Sequence, residues 1–125
     1  MLPMKILIAD DKQHMRRAIR SLLESHPGWY VKEAEDGAEA VVRAQEDKPD
    51  VVVLDLAMPE LNGFQAARRI ASSVPGVPIF LNTLYASAQV EREAETVGVQ
   101  RVISKSEEYR LVPAIEAALA ARSVR

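Results

Sequence analysis

Short apolar runs that end in polar residues recur five times along this chain, and segments of helical periodicity separate them. The runs are MKILIA at 4–9, WYVKEA at 29–34, VVVL at 51–54, VPIFL at 77–81 and VQRVIS at 99–104. The first and third are nearly continuous in apolar residues, as expected of strands covered on both faces. Between them, Met15, Ala18, Ile19, Leu22 and Leu23 mark a helix that runs to about Ser25. Asp36-Gly37 opens a second helix with Ala40, Val41 and Ala44 inward, and a third carries Phe64, Ala67, Ile70 and Ala71 up to Pro75-Gly76. A weak fourth helix over 86–97 has only Val90, Ala94 and Val97 as anchors, with Gly98 as its C-terminal cap. The last, over about 107–121, buries Leu111, Val112, Ile115, Ala118 and Leu119. Strictly alternating strands and helices predict an α/β chain with a parallel sheet and helices on both faces, a doubly wound (βα)5 three-layer sandwich.

Composition narrows the class. A length of 125 residues predicts a single domain over 1–125, and 48% apolar with 27% charged residues excludes disordered and collagen-like chains. The absence of cysteine rules out a disulfide framework and thiolate metal sites. No apolar run approaches the ~20 residues of a membrane span, and the first residues lack the pattern of a signal peptide, so a cytoplasmic chain without membrane contact is expected. Net charge is -2, with Arg16, Arg17 and Arg20 on one helix and Arg68 and Arg69 on another. These read as solvated faces, too sparse for a nucleic-acid groove. His14 and His26 read as solvated also.

The strand ends carry the chemistry. Four of the five runs lead into Asp10/Asp11, Asp55, Thr83 and Lys105, and in a parallel sheet those ends share one edge. Right-handed crossovers and strand order 2-1-3-4-5 put the reversal of order between strands one and three, where ligands bind in such folds. That order sets Asp10/Asp11 beside Asp55, with Thr83 and Lys105 on the other side. A single Asp after a strand usually caps the next helix. A cap leaves unexplained a second acid, a third on the neighbouring strand, and a lysine facing them. Three carboxylates within ~5 Å repel by about 3 kcal/mol per pair at an effective dielectric near 20, a cost that a hard divalent cation offsets. Oxygen ligands alone point to Mg2+. A carboxylate screened by such an ion can attack phosphorus, with Lys105 and the Thr83 hydroxyl left for phosphoryl oxygens.

With ILIADD at 6–11, VVVLDLAMPELNG at 51–63, FLNT at 80–83 and VISK at 102–105, the chain resembles, over nearly its whole length, the receiver domain of two-component response regulators. That family is CheY-like and flavodoxin-like in fold. The resemblance implies Asp55 as phosphoacceptor and Mg2+ held by Asp10, Asp11, Asp55 and the backbone carbonyl of Ala57, with Asp11 the more direct of the acid pair. It implies that Thr83 and Lys105 read the phosphoryl group, and that a sensor histidine kinase or phosphotransfer protein donates it. The last helix and the fourth helix become the partner surface, with homodimerisation as one outcome.

The chain departs from the family pattern at several points. Ser106 replaces the proline that often follows the lysine in a cis peptide. Val102 stands at the usually aromatic switch position. Leu84 is bulky where a small residue is common and narrows access to Asp55, and Tyr85 takes over part of the switch role or is an exposed helix entrance. TLY with Lys-Ser is closest to receivers that precede a LuxR/NarL-type helix-turn-helix, so DNA enters only through a C-terminal effector domain. Asn62-Gly63 serves a turn, with glycine at positive φ. A pseudo-receiver, an interaction module without phosphate chemistry, is the alternative that the intact acids, Thr83 and Lys105 oppose. A phosphohydrolase would want an acid where Ala57 stands, and a flavodoxin-type cofactor site would want Gly, Ser or Thr where DDKQHM stands.

Overall fold

Eleven elements follow one another in the structure, a computed structural model that describes residues 3–123: β1 (Met4–Ala9), α1 (Gln13–Glu24), β2 (Trp29–Ala34), α2 (Gly37–Asp47), β3 (Val51–Leu54), α3 (Gly63–Ser73), β4 (Ile79–Thr83), α4 (Ala88–Thr96), β5 (Arg101–Ser104), a 3-10 segment (Lys105–Arg110) and α5 (Leu111–Ser123). All neighbouring strands are parallel and the sheet order is β2-β1-β3-β4-β5, the doubly wound arrangement expected. The expectations that rest on Met1, Leu2, Val124 and Arg125 lie outside the described residues.

Alternation along the strands splits the core into two layers. Leu7, Ala9, Val52, Leu54, Ile79 and Leu81 face α2, α3 and α4, whereas Ile6, Ile8, Val51, Val53, Phe80 and Ile103 face α1 and α5. Each helix buries a narrow stripe: Ala40, Val41 and Ala44 on α2, Ala66, Ala67 and Ile70 on α3, and Leu111, Ala114, Ile115 and Ala118 on α5. As expected, α4 is thinly anchored, by Ala94 with Val97 just beyond its end and Val90 half-buried. Ser87 caps it, Asp36 caps α2, and Asn62 forms a capping box with Gln65 at the start of α3.

Several expectations are corrected. On α1, Ala18 is exposed and Arg16 is buried, so the inward face runs through Arg16, Ile19 and Leu23. β4 begins later than Val77 and continues through Asn82 and Thr83, because both are buried in the sheet and pair with Ile103 and Ser104 of β5. β5 begins at Arg101 rather than Val99, and the last helix is preceded by a 3-10 turn in which Ser104 accepts from the Ser106 amide. No described peptide bond is cis, so Lys105–Ser106 is trans. Gly63 is not at positive φ. In the β3–α3 loop that conformation falls to Glu60 (φ 70°), and Gly63 is needed for space.

His26 is not freely solvated. Its ring stacks on Trp29 at a centroid distance of 3.8 Å and its Nε2 lies 2.9 Å from Glu116 Oε2 on α5. His14 is exposed, as expected. Among the described residues no helix is long and apolar enough to cross a membrane.

Candidate functional site

The C-terminal edge of the sheet brings the acids together. Asp10 follows β1 and Asp55 follows β3, adjacent strands whose paired ends are Ala9 and Leu54. The backbone continues the pairing into the site, since the Asp55 amide donates to Ala9 O at 2.9 Å and the Asp10 amide to Ala34 O at 3.2 Å. One carboxylate oxygen from each of Asp10, Asp11 and Asp55 lies within 4.8 Å of the others. Asp10 and Asp55 are buried and Asp11 is exposed, so the cluster has two acids in its floor and one at its rim. The N-cap reading of the acids does not hold. The cap position of α1 is Lys12, with no side-chain cap, and Asp10 Oδ1 instead accepts from the Lys12 amide at 2.9 Å.

Lys105, the first residue beyond β5, enters the cluster with its side chain only 3% exposed. Its Nζ lies 2.5 Å from Asp10 Oδ2 and 3.4 Å from Asp55 Oδ1. Burial pushes the Asp55 carboxyl above the ordinary carboxylate range, the Asp10 charge adds to that, and Lys105 acts against it. At the rim, Lys12 Nζ sits 3.4 Å from Asp11 Oδ1, which holds the ammonium charged to higher pH. Glu108, in the 3-10 turn after Lys105, has its carboxyl raised by burial, with Lys105 opposing and Asp10 adding.

Thr83 is fully buried at the end of β4, and its Oγ1 accepts from the Tyr85 amide at 3.0 Å. That bond uses a lone pair and leaves the hydroxyl hydrogen to be donated. Leu84 and Tyr85 are exposed, at 66% and 61%, in the turn between β4 and α4. Val102 is half-buried against the α2–α3–α4 layer. Ala57 lies in the exposed turn two residues beyond Asp55.

Two glycines set the shape of that turn. A Cβ on Gly63 would lie 2.5 Å from Asp55 O and 2.9 Å from Leu56 Cα, and one on Gly37 would lie 2.0 Å from Leu61 O. Gly63 N also donates to Leu56 O at 2.8 Å, which fastens α3 to the residue after Asp55.

One site residue escaped sequence reasoning. Arg16, 6% exposed, reaches back from α1 so that Nη1 donates to Asp10 O at 2.7 Å and Nε to Glu33 Oε1 at 3.0 Å. Glu33 also accepts from Arg20 Nη1 at 2.5 Å. The signal was present: residues 16, 19 and 23 share one helical face, and 29, 31 and 33 share one strand face. Burial alone would raise the Glu33 carboxyl, but the Arg20 and Arg16 hydrogen bonds together hold it below the ordinary range. A depressed carboxyl stabilises the fold above its unfolded value of 4.5, and that contribution disappears as pH falls through the lower folded value. Glu33→Gln is therefore expected to be less stable than wild type at neutral pH by no more than about 1 kcal/mol, because water reaches one side of the pair. The gap should close in acid. Denaturant melts of both proteins across acidic and neutral pH check this, and a gap that persists unchanged in acid would contradict it.

Comparison with known proteins agrees with the geometry. The family model for the response regulator receiver domain matches residues 6–116. A protein-glutamate methylesterase/protein-glutamine glutaminase of Alkalilimnicola ehrlichii is 38% identical over 106 residues, which is 83% of this chain but only 27% of that protein. Chemotaxis protein CheY of Listeria monocytogenes is 38% identical over 78 residues, 62% of this chain and 66% of that protein. A LuxR-family two-component response regulator from Aurantimonas sp. SI85-9A1 superposes with TM-score 0.90 at 34% identity, covering 95% of this chain and 86% of that one. The chain thus spans about a quarter of the first relative and about two thirds of the second. Sheet order, acidic edge and family match together establish that this chain belongs to the receiver domains of two-component response regulators.

Proposed function

We propose that Asp55 is the phosphoacceptor of this receiver, taking a phosphoryl group from a phosphohistidine on a sensor histidine kinase or phosphotransfer protein. The observation that carries the reading is the contact of one buried lysine with two of three clustered acids: Lys105 Nζ lies 2.5 Å from Asp10 and 3.4 Å from Asp55. An Asp55 carboxylate oxygen forms a bond to phosphorus as the phosphorus–nitrogen bond of the donor breaks, and the electron pair leaves with the imidazole. The carboxylates of Asp10, Asp11 and Asp55 cluster as an oxygen-only set suited to Mg2+, and the Ala57 carbonyl would complete it. When bound, that ion would neutralise charge on the acids and the transferring group. Lys105 moves off Asp10 to offset a phosphoryl oxygen, and the Thr83 hydroxyl turns its hydrogen toward another.

Phosphorylation then biases a two-state equilibrium of the β4–α4–β5 side. The thin anchoring of α4 makes a shift there inexpensive in lost contacts. A groove of about 510 Å³ between α4 and β5, bordered by Glu91, Glu95, Arg101 and Arg110, lies away from the acids. It fits the α4 side of the partner or self-association surface. The chain acts as a switch and not as an enzyme on other substrates. It forms one receiver unit over 1–125 and works in the cytoplasm, where phosphohistidine donors are charged. DNA would be contacted only if a C-terminal effector domain follows this receiver.

Incubation with Mg2+ and acetyl phosphate tests the reading. One acid-labile phosphoryl adduct is expected by intact mass. Chelating the metal should slow its formation by about two orders of magnitude or more, because a bound cation supplies several kcal/mol to such a transition state. No adduct from acetyl phosphate or from a histidine kinase would leave the pseudo-receiver.

A further inference from the structure

We infer that Arg16 is a positioning residue for the acidic pocket, setting the β1–α1 turn so that Asp10 and Asp11 present their carboxylates together. The inference rests on the metal-assisted reading of that pocket. A buried arginine on the core face of a helix has to be paired, and this one is paired to the site itself. Nη1 holds Asp10 O at 2.7 Å while Nε holds Glu33 Oε1 at 3.0 Å, so one rigid guanidinium ties the end of β1 to β2. Nη2 lies 3.6 Å from Glu35 Oε1, and Arg20 grips the other oxygen of Glu33. Two further bonds fasten the turn between Asp10 and the helix: Arg16 N donates to Lys12 O at 3.0 Å, and Lys12 N donates to Asp10 Oδ1 at 2.9 Å. The Asp10 carbonyl is thus held from α1 and its carboxylate from Lys12 and Lys105. Arg16 touches neither Asp55 nor a phosphoryl position. It acts through the Asp10 backbone.

Charge and position make opposite demands here, which gives the inference a sign. Removing a cation from the neighbourhood of three carboxylates should tighten Mg2+ binding if Arg16 acts only through its field. If it acts by position, removal loosens the turn and weakens binding. Partners that orient metal ligands from outside typically account for about 10–100-fold in metal affinity.

Calorimetric titration with Mg2+ alone, in the absence of any phosphodonor, provides the test. Arg16→Met, of similar reach and without donors, is expected to weaken Mg2+ at least about tenfold. Arg16→Lys keeps the charge but cannot hold Asp10 and Glu33 together, and should also bind more weakly than wild type. Leu23→Ala, which loosens the same helix at a fully buried position remote from the turn, should leave Mg2+ affinity within about twofold of wild type despite its lower melting temperature. Unchanged or tighter binding in Arg16→Met, wild-type binding in Arg16→Lys, or an equal loss in Leu23→Ala would each overturn the positioning role. Failure of the wild type itself to bind Mg2+ would instead remove the metal-assisted reading, and this inference with it.

Discussion

Asp55→Asn is expected to raise the stability of the protein while abolishing its phosphoryl adduct. Asp55 is 5% exposed, and its carboxyl is pushed up by burial and by the Asp10 charge, with Lys105 opposing. A carboxyl whose folded pKa lies above its unfolded value of 3.8 destabilises the fold wherever it must ionise. The penalty is absent in acid, grows as pH rises from 3.8 through the raised folded value, and is full above it. Asparagine keeps the shape and removes the charge. At neutral pH the gain should fall in the range of about 0.5–2 kcal/mol, common when a costly functional group is relieved. The difference from wild type should vanish in acid, where Asp55 is protonated in both states. Melts of the pair at several pH values, with intact-mass analysis after incubation with Mg2+ and acetyl phosphate, measure both effects. A loss of stability at neutral pH would show that Lys105 outweighs burial at this residue.

Gly63→Ala and Gly37→Ala should do the reverse, costing stability and activity together although neither touches the carboxylates. Alanine ordinarily gains roughly 1 kcal/mol over glycine in a helix. Here the added methyl meets backbone, Asp55 O at 2.5 Å from Gly63 and Leu61 O at 2.0 Å from Gly37, and backbone cannot swing aside as a side-chain tip can. Overpacking of this kind costs about 1–3 kcal/mol net, and Gly37→Ala should be the worse. Both substitutions force the β3–α3 turn away from its helix. That turn carries Ala57, so the rate of adduct formation should fall by about tenfold or more even where the fold survives. Urea midpoints and single-turnover phosphorylation on the same samples would test the link. Full activity in a destabilised Gly63→Ala protein would separate the turn from the chemistry.

Much of this was legible in the order of residues. VVVL and MKILIA declare buried parallel strands, and the polar residues that end four of the runs collect at one edge as soon as the strand order is accepted. Helix α2 announces itself through Asp36 ahead of Gly37, whereas Asn62, which reads as a turn residue, proves to be the cap of α3. Illegible parts had a common cause: the decisive interaction was long-range. Arg16 looks like one of three helix arginines until Glu33 is seen opposite it. Gly63 looks like a turn glycine until Asp55 O is found where its Cβ would be. Asn82 and Thr83 read as a strand end because they are polar, yet pairing with β5 keeps them in the sheet. KSEEYR has no apolar period, so nothing in it distinguishes a 3-10 turn from the start of a helix.

The stacking of His26 on Trp29 bears on how this switch can be watched. Trp29 is the only tryptophan, and it pairs with Met4 at the start of β1, whereas the acids follow the end of that strand. A six-residue parallel strand separates the two by roughly 20 Å. Its fluorescence is therefore a poor gauge of metal entering the pocket. The imidazole against the indole is also the partner of Glu116 on α5. A change in emission on phosphorylation would therefore report movement at Glu116, midway along the last helix, making Trp29 a built-in probe of output rather than of input.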